Sequence, residues 1–333
     1  MDNSNTLTAS AVKPYRILSL DGGGAKGFYT LGVLNELEAL LGRKPLCGEF
    51  DLIFGTSTGA IIAAMLALGH TVAEITTFYR EHVPTIMGKD SPEEKTAALK
   101  ELAVTIFGDK DFSAFKTDIG IVTTNWTTEK PTVFKTSKRQ AHGREATFQP
   151  GFGCTIAAAV VASCAAFPFF EIQTVEAPIG KTFTLGDGGF CANNPALYAL
   201  ADALGPLGFQ PGDIRLVSVG VGSYPPREQP VYHWSRWLKY LPARWMFPVL
   251  PEMIQKVMDV NTQSMEVLQQ ILYGKFLTDE KKRVPTVRVN GQFSEPHMAT
   301  DFLEHNLDKL NKLYERGGES FGDCEGDLRK LLL

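Results

Sequence analysis

The sequence lacks three features that would assign it to specialised classes of protein. Its five cysteines form no C-x-x-C pair, so we expect reduced thiols and no disulfide framework or zinc site. Thirty-three Lys and Arg against 37 Asp and Glu give a net charge of −4, which excludes a general affinity for nucleic-acid polymers. The longest apolar stretch, residues 156–170, is shorter than the roughly 20 residues of a membrane-spanning helix.

The 333 residues alternate strand and helix patterns over most of their length. Alternation of this kind predicts an α/β protein in which helices cover both faces of a mostly parallel sheet. We expect three parts: a flexible N-terminal tail at 1–13, a catalytic domain at 14–224, and a mostly helical C-terminal extension at 225–333 packed on the core.

Residues 232–247 contain three of the four tryptophans, Trp234, Trp237 and Trp245, together with basic residues. One interpretation is a helix that packs its aromatic side chains on the core. The other is a lid or interfacial surface, because amphipathic rings beside basic residues favour the headgroup level of a membrane. Both interpretations stay open at this point.

A glycine loop, Gly22 to Gly27, stands between a predicted strand and a predicted helix. Its three consecutive glycines allow positive φ angles and let several N–H groups converge beside a helix N-terminus, which suits an anion or oxyanion. Gly22, Gly24 and Gly27 also fit the dinucleotide fingerprint G-x-G-x-x-G. That motif requires an acid at the end of the second strand, where Gly55-Thr56-Ser57 stands instead. We therefore favour an anion- or oxyanion-binding loop, and a dinucleotide-binding oxidoreductase is the alternative hypothesis.

The segment Gly55-Thr56-Ser57-Thr58-Gly59 matches G-x-S-x-G, the nucleophile elbow. In this motif the serine lies on a strained strand-to-helix turn, and the residues two before and two after it must be small. A compact apolar strand precedes the segment and a helical pattern follows it, which is the context that the motif needs. We expect Ser57 to be a nucleophile.

A nucleophilic serine needs a base, and Asp187 is the candidate that we favour. It ends a predicted strand and is followed by Gly188 and Gly189, so we expect its carboxylate at the strand end with open space beside it. The order Ser, Asp, His of an α/β-hydrolase triad is the alternative. That triad would draw its histidine from positions that no local pattern fixes: His233, His297 and His305.

These motifs, in this order, resemble the patatin-like phospholipases. The resemblance rests on Asp21-Gly22-Gly23-Gly24-Ala25-Lys26-Gly27, on the elbow around Ser57, and on Asp187-Gly188-Gly189 followed by Asn193-Asn194-Pro195. It implies a three-layer α/β fold, a Ser57–Asp187 catalytic dyad without histidine, and an oxyanion hole made by the amides of Gly23 and Gly24. It implies neither cofactor nor metal. Lys26 stands where many members have arginine, which keeps the charge but loses the bidentate fork.

Within this family, residues 16–32 and 79–87 and the chain length are similar to the bacterial phospholipase effectors of cyclic-oligonucleotide anti-phage defence (CBASS). This resemblance implies a membrane phospholipid substrate and a cyclic dinucleotide activator, without identifying residues that bind the activator. It also implies a cytoplasmic protein that works on the inner face of the membrane and can form a homo-oligomer on activation. The polar start of the chain, which lacks the pattern of a secretory signal, agrees with that location.

Overall fold

The computed structural model describes residues 13–178, 180–225 and 250–333. The three tryptophans at 234, 237 and 245 and His233 lie outside these ranges. The described strands form one sheet in the order β5-β6-β3-β2-β1-β7-β8, with β4 also paired to β3. Their bounds are β1 Tyr15–Leu20, β2 Leu52–Thr56, β3 Asp118–Asn125, β4 Lys130–Lys135, β5 Gln173–Ala177, β6 Lys181–Asp187, β7 Ile214–Val219 and β8 Thr286–Val289.

Helices flank the sheet on both faces. Their bounds are α1 Gly27–Leu40, α2 Thr58–Leu68, α3 Val72–Met87, α4 Pro92–Phe107, α5 Ile156–Ser163, α6 Gly189–Ala192, α7 Ala196–Leu204, α8 Leu250–Leu272 and α9 Leu307–Leu332. Among the described residues, no helix combines the length and the apolar character needed to cross a membrane.

Successive residues of the central strands feed two separate cores, as the two-residue period of a strand requires. Leu18 of β1 faces a large core that includes α1 to α5 and α9, whereas Ile17 faces a smaller core that includes α7. The strands β3, β2, β1, β7 and β8 run parallel, and β4, β5 and β6 add antiparallel pairs at one side. The predicted three-layer α/β fold with a mostly parallel sheet is confirmed.

The C-terminal part contributes to the sheet and to one helical layer. β8 extends the sheet beyond β7, and α9 lies against α1. A side chain at Gly32 of α1 would overlap the backbone of Tyr314, and one at Gly317 of α9 would overlap the backbone of Tyr29. Glycine is therefore required on both helices where their backbones meet. The domain boundary at residue 225 stays a prediction.

One edge of β3 is shared by two strands, and this arrangement positions the site. Thr56 of β2 pairs with Val122 of β3, and Asp187 of β6 pairs with the next residue, Thr123. β4 occupies the opposite edge over the same residues. The end of β6 therefore follows the end of β2 along one strand, and the residues after Thr56 meet Asp187.

Candidate active site

Ser57 occupies the sharp turn between β2 and α2. Its φ of 53° and ψ of −124° are strained for a residue with a side chain. A Cβ at Gly55 would overlap the backbone of Gly59, and a Cβ at Gly59 would overlap the carbonyl oxygen of Leu20. Both glycines of the motif are therefore required by close packing around the elbow.

The turn is also stabilised by a buried serine, Ser163, which is not part of the sequence motifs. The Ser57 amide donates to Ser163 Oγ at 2.9 Å, and the Ser163 hydroxyl donates to the carbonyl oxygen of Val122 at 2.6 Å. Ser163 is fully buried at the end of α5. It links the elbow to β3, the strand that also positions Asp187.

Asp187 lies beside Ser57 but is buried, with 1% of its surface exposed. Its amide donates to the Ala165 carbonyl and the following glycine packs closely, and Asp187 also lines a cavity that it shares with Ser57. A Cβ at Gly188 would overlap the carbonyl of Val122. Asp187 Oδ1 accepts a hydrogen bond from the Gly189 amide at 2.6 Å.

The environment of Asp187 raises the proton affinity of its carboxylate. Burial raises the pKa of this carboxyl to about 7, and the Gly189 amide and the Ser57 hydroxyl offset part of the rise. Among the described residues, Oδ2 has no hydrogen-bond partner of standard geometry. The Ser57 hydroxyl is thus close enough to influence the carboxylate without forming a full hydrogen bond to it. The free oxygen is available to accept a proton.

The glycine loop presents unpaired amides next to this pair. Gly23 and Gly24 line the cavity that contains Ser57 and Asp187, and neither amide donates to another described backbone or side chain. Gly24 has a φ of 57°, and a side chain there would overlap the Phe302 carbonyl. Two free amides beside a nucleophile suit the stabilisation of an oxyanion.

The remaining glycines of the loop are sites of close packing. A Cβ at Gly22 would overlap Asn193 Oδ1, and one at Gly27 would meet the Thr58 hydroxyl. Close packing therefore accounts for Gly22 and Gly27 without a bound dinucleotide.

Lys26 does not join the catalytic cavity. It is 3% exposed and lines a different cavity, which also contains Asp21 and Asn193. Burial lowers the pKa of Lys26, and the charges of Asp259 and Asp301 oppose that change. Lys26 therefore belongs to the lining of the second cavity.

A buried ion pair holds the start of the glycine loop. Arg288 of β8 donates to both oxygens of Asp21, from Nη1 at 2.9 Å and from Nη2 at 2.6 Å. Nη1 also donates to Ser218 Oγ at 2.9 Å, and Nε lies 3.3 Å from Glu266 of α8. This bidentate pair fixes the orientation of the Asp21 carboxylate and its distance from the Arg288 guanidinium.

Arg288→Ala is expected to lower the free energy of unfolding by about 3–5 kcal/mol, because it leaves the buried Asp21 carboxylate unpaired. Arg329→Ala, which removes an exposed pair with Glu325 on α9, is the matched control and should cost less than about 1 kcal/mol. Urea unfolding of both variants measures the difference. Equal losses in the two variants would contradict a structural role for the pair.

Asn193 joins the loop after Asp187 to the glycine loop and to α8. Its Nδ2 donates to the Gly22 carbonyl at 3.1 Å and to Thr262 Oγ1 at 2.8 Å. Its amide donates to Asn261 Oδ1 at 2.8 Å, and its carbonyl accepts from the Gly22 amide at 2.9 Å. Asn193 therefore links the glycine loop at Gly22 to Asn261 and Thr262 of α8.

The cavity beside Ser57 is lined by apolar side chains of α2, α3 and α4 and by Met258 of α8 and Phe302. Members from the three helices are Ile61, Met65, Phe78, Val83, Ile86, Met87, Leu99, Leu102 and Ile106. Such a lining suits a hydrocarbon chain. The cavity holds about 60 Å³, far below the roughly 300–1,000 Å³ of sites that enclose a small molecule.

The histidines do not complete a triad in the described part of the chain. Five of the six histidines lie there, and none of these five lines the cavity with Ser57. His297 and His305 are exposed.

We expect His297→Ala and His305→Ala to keep ester hydrolysis within about twofold of the unmodified enzyme. Activity is measured with a short-chain nitrophenyl ester. Loss of activity in either folded variant would favour the Ser-His-Asp triad over the dyad. His233→Ala tests the third candidate histidine.

Hydrolysis is expected to rise with pH and to reach half of its maximum near pH 7. Asp187 must be ionised to accept a proton, and burial raises its pKa to about 7. Below that pH the rate should fall about tenfold per pH unit. A pH profile of kcat/KM with an uncharged nitrophenyl ester measures this, with circular dichroism as the control for folding. A flat profile between pH 5 and 8 would contradict a carboxylate base.

An elbow serine, a buried carboxylate, two free amides and an apolar cavity are the parts of a serine hydrolase acting on esters of long-chain acids. The family model for patatin-like phospholipase matches residues 18–200. The chain belongs to the patatin-like phospholipase family, and it is an enzyme that hydrolyses carboxylic esters.

Individual relatives agree with this assignment. The chain is 50% identical to the cUMP-AMP-activated phospholipase of Escherichia coli, over 96% of this chain and 94% of that protein. It is 28% identical to a cGAMP-activated phospholipase of Pseudomonas aeruginosa, over 63% of each chain. Among solved structures, VipD from Legionella pneumophila is similar over 96% of this chain and 67% of that chain, with 14% identity and a TM-score of 0.46.

Proposed function

We propose that this enzyme cleaves fatty-acyl esters of membrane phospholipids with Ser57 as nucleophile and Asp187 as base. The observation that carries the proposal is the position of the buried Asp187 carboxylate, with Oδ2 unpaired among the described residues, beside an elbow serine and two free amides. The apolar lining of the adjoining cavity supports a long acyl chain as the part of the substrate that is bound.

In the first half of the reaction, Ser57 Oγ attacks the ester carbonyl carbon while Asp187 Oδ2 takes the hydroxyl proton. The amides of Gly23 and Gly24 donate to the oxyanion of the tetrahedral intermediate; one such donor contributes about 3–4 kcal/mol. Asp187 then gives the proton to the departing alkoxide of the lysophospholipid. In the second half, Asp187 takes a proton from water, which attacks the acyl-enzyme carbonyl carbon; the bond to Ser57 Oγ breaks, Asp187 returns the proton to Ser57 Oγ, and the fatty acid is released.

We further propose that a cyclic dinucleotide activates the enzyme. The Escherichia coli relative at 50% identity is a cUMP-AMP-activated phospholipase, and the cavity of about 60 Å³ cannot hold an acyl chain without enlargement. Activation would then admit the lipid to residues that are already aligned. Action at the inner face of the membrane and self-association on activation stay predictions.

Fatty-acid release from phospholipid vesicles tests this proposal. The full chain is assayed with cUMP-AMP, with other cyclic dinucleotides and without ligand, and Ser57→Ala serves as the blank. We expect release to depend on one of these ligands and on Ser57. Equal release with and without every ligand would remove the activation, and release by the Ser57→Ala protein would remove the proposed chemistry.

A further inference from the structure

A second cavity, the amide groove, lies where the parallel strands β1, β7 and β8 end. Five carboxamide side chains contribute to its lining: Asn193 after α6, Gln255 and Gln263 of α8, and Asn290 and Gln292 after β8. It holds about 740 Å³, within the roughly 300–1,000 Å³ of small-molecule sites. Ligands of open α/β sheets bind outside the carboxyl ends of the strands, which is where this groove is placed.

The chemistry of the groove matches nucleobases. Carboxamide side chains pair with base edges through a donor and an acceptor held side by side. Apolar side chains of the lining, among them Val221, Val260 and Leu268, offer surfaces for the faces of the bases. Tyr224 also lines the groove, and its buried hydroxyl has no hydrogen-bond partner among the described residues. That hydroxyl is a further group that a ligand could satisfy.

Charge argues that bases, and not phosphates, would provide most of the recognition. Asp21 is already neutralised by Arg288, and Lys26 shares the groove with Asp259. A ligand recognised mainly as an anion would meet this carboxylate. A nucleotide whose bases contact the carboxamides and whose phosphates lie near Lys26 fits the lining better.

The amide groove and the catalytic cavity share two structural elements. α8 contributes Gln255 and Gln263 to the groove and Met258 to the catalytic cavity. The glycine loop contributes Lys26 to the groove and Gly24 to the catalytic cavity. A ligand that repositions α8 would therefore move a side chain that lines the acyl cavity.

We propose that the amide groove is the binding site of the cyclic dinucleotide and that its carboxamides select the bases. This inference rests on the proposed activation. It adds the location of the activator and a route, through α8, by which binding opens the acyl cavity.

The test uses the full chain with cUMP-AMP as the probe, and measures binding by calorimetry and fatty-acid release from vesicles. Two exposed positions of α8 that line the groove are changed, as Gln263→Ala and Ser264→Trp. Gln210→Ala, at an exposed glutamine before the opposite end of β7, is the matched control. Thermal unfolding and hydrolysis of a short-chain ester verify that each variant is folded.

We expect binding to weaken at least tenfold in Gln263→Ala, to be lost in Ser264→Trp, and to be unchanged in Gln210→Ala, with ligand-stimulated release following the same order. Unaltered binding in both groove variants would place the activator elsewhere and overturn the inference while leaving activation intact. Absence of binding to the unmodified protein by cUMP-AMP and by every other cyclic dinucleotide would overturn both.

Discussion

Ser57→Ala should abolish fatty-acid release, with a loss on the order of 10³-fold or more in kcat. The substitution removes the only atom that can form the acyl-enzyme in the proposed reaction. The amides of Gly23 and Gly24 remain in place, so a small residual rate above that of water is expected. Release of fatty acid from vesicles, followed over long incubation, measures the loss.

The fold should survive this change. Among the described residues, the Ser57 hydroxyl takes part in no hydrogen bond of standard geometry, whereas its amide bond to Ser163 is retained in alanine. The matched control is Ser294→Ala at an exposed serine, which should keep full activity. A Ser57→Ala protein that retains more than about 1% of the activity would show that another group attacks the ester.

Asp187→Asn should reduce kcat by about 10²–10⁴-fold, the usual contribution of a positioned general base. The amide can still accept the hydrogen bond of Gly189, and its NH₂ group can donate to Ser57, so the geometry of the site is kept. It cannot take the serine proton. Activity near that of the unmodified enzyme in this variant would exclude Asp187 as the base.

The same substitution should stabilise the protein, by an amount that depends on pH. A pKa of about 7 in place of 3.8 means that the folded state holds this proton more tightly than the unfolded state. The free energy of unfolding therefore falls as the pH rises from about 4 to about 7, by about 4 kcal/mol in all. Asparagine removes this loss.

We expect Asp187→Asn to be more stable than the unmodified protein at pH 8, and the difference to be smaller at pH 5. Urea unfolding at the two pH values measures it, with Asp213→Asn at an exposed position as the control for loss of one carboxylate. A difference that does not grow with pH would contradict the effect of burial on Asp187.

The sequence predicted the fold class and the local geometry around Ser57, because both depend on short-range patterns. Strand and helix periodicity is local, and a G-x-S-x-G elbow needs only its own strand, turn and helix. Asp187 was identified from a strand end followed by two glycines, but its burial was not. That burial depends on contacts with Ala165 and Val122, which no local pattern encodes.

The supports of the site were not predicted, for the same reason. Arg288 lies 267 residues after Asp21, and nothing around it in the sequence distinguishes it from a surface arginine. Ser163 lies within the apolar stretch at residues 156–170, and no local pattern marks it as a support of the site. Their roles depend on the tertiary structure, in which β8 pairs with β7 and the end of α5 contacts the turn after β2.

The shared edge of β3 bears on how such an enzyme can be kept inactive. Because β2 and β6 attach to consecutive residues of a single strand, twisting or bending of the sheet carries serine and carboxylate together. Inactivation by separation of Ser57 from Asp187 would therefore require breaking the hydrogen bonds that pair β3 with β2 or β6. Blocking access of the acyl chain to the cavity requires a smaller change, and it leaves Ser57 and Asp187 in their relative positions.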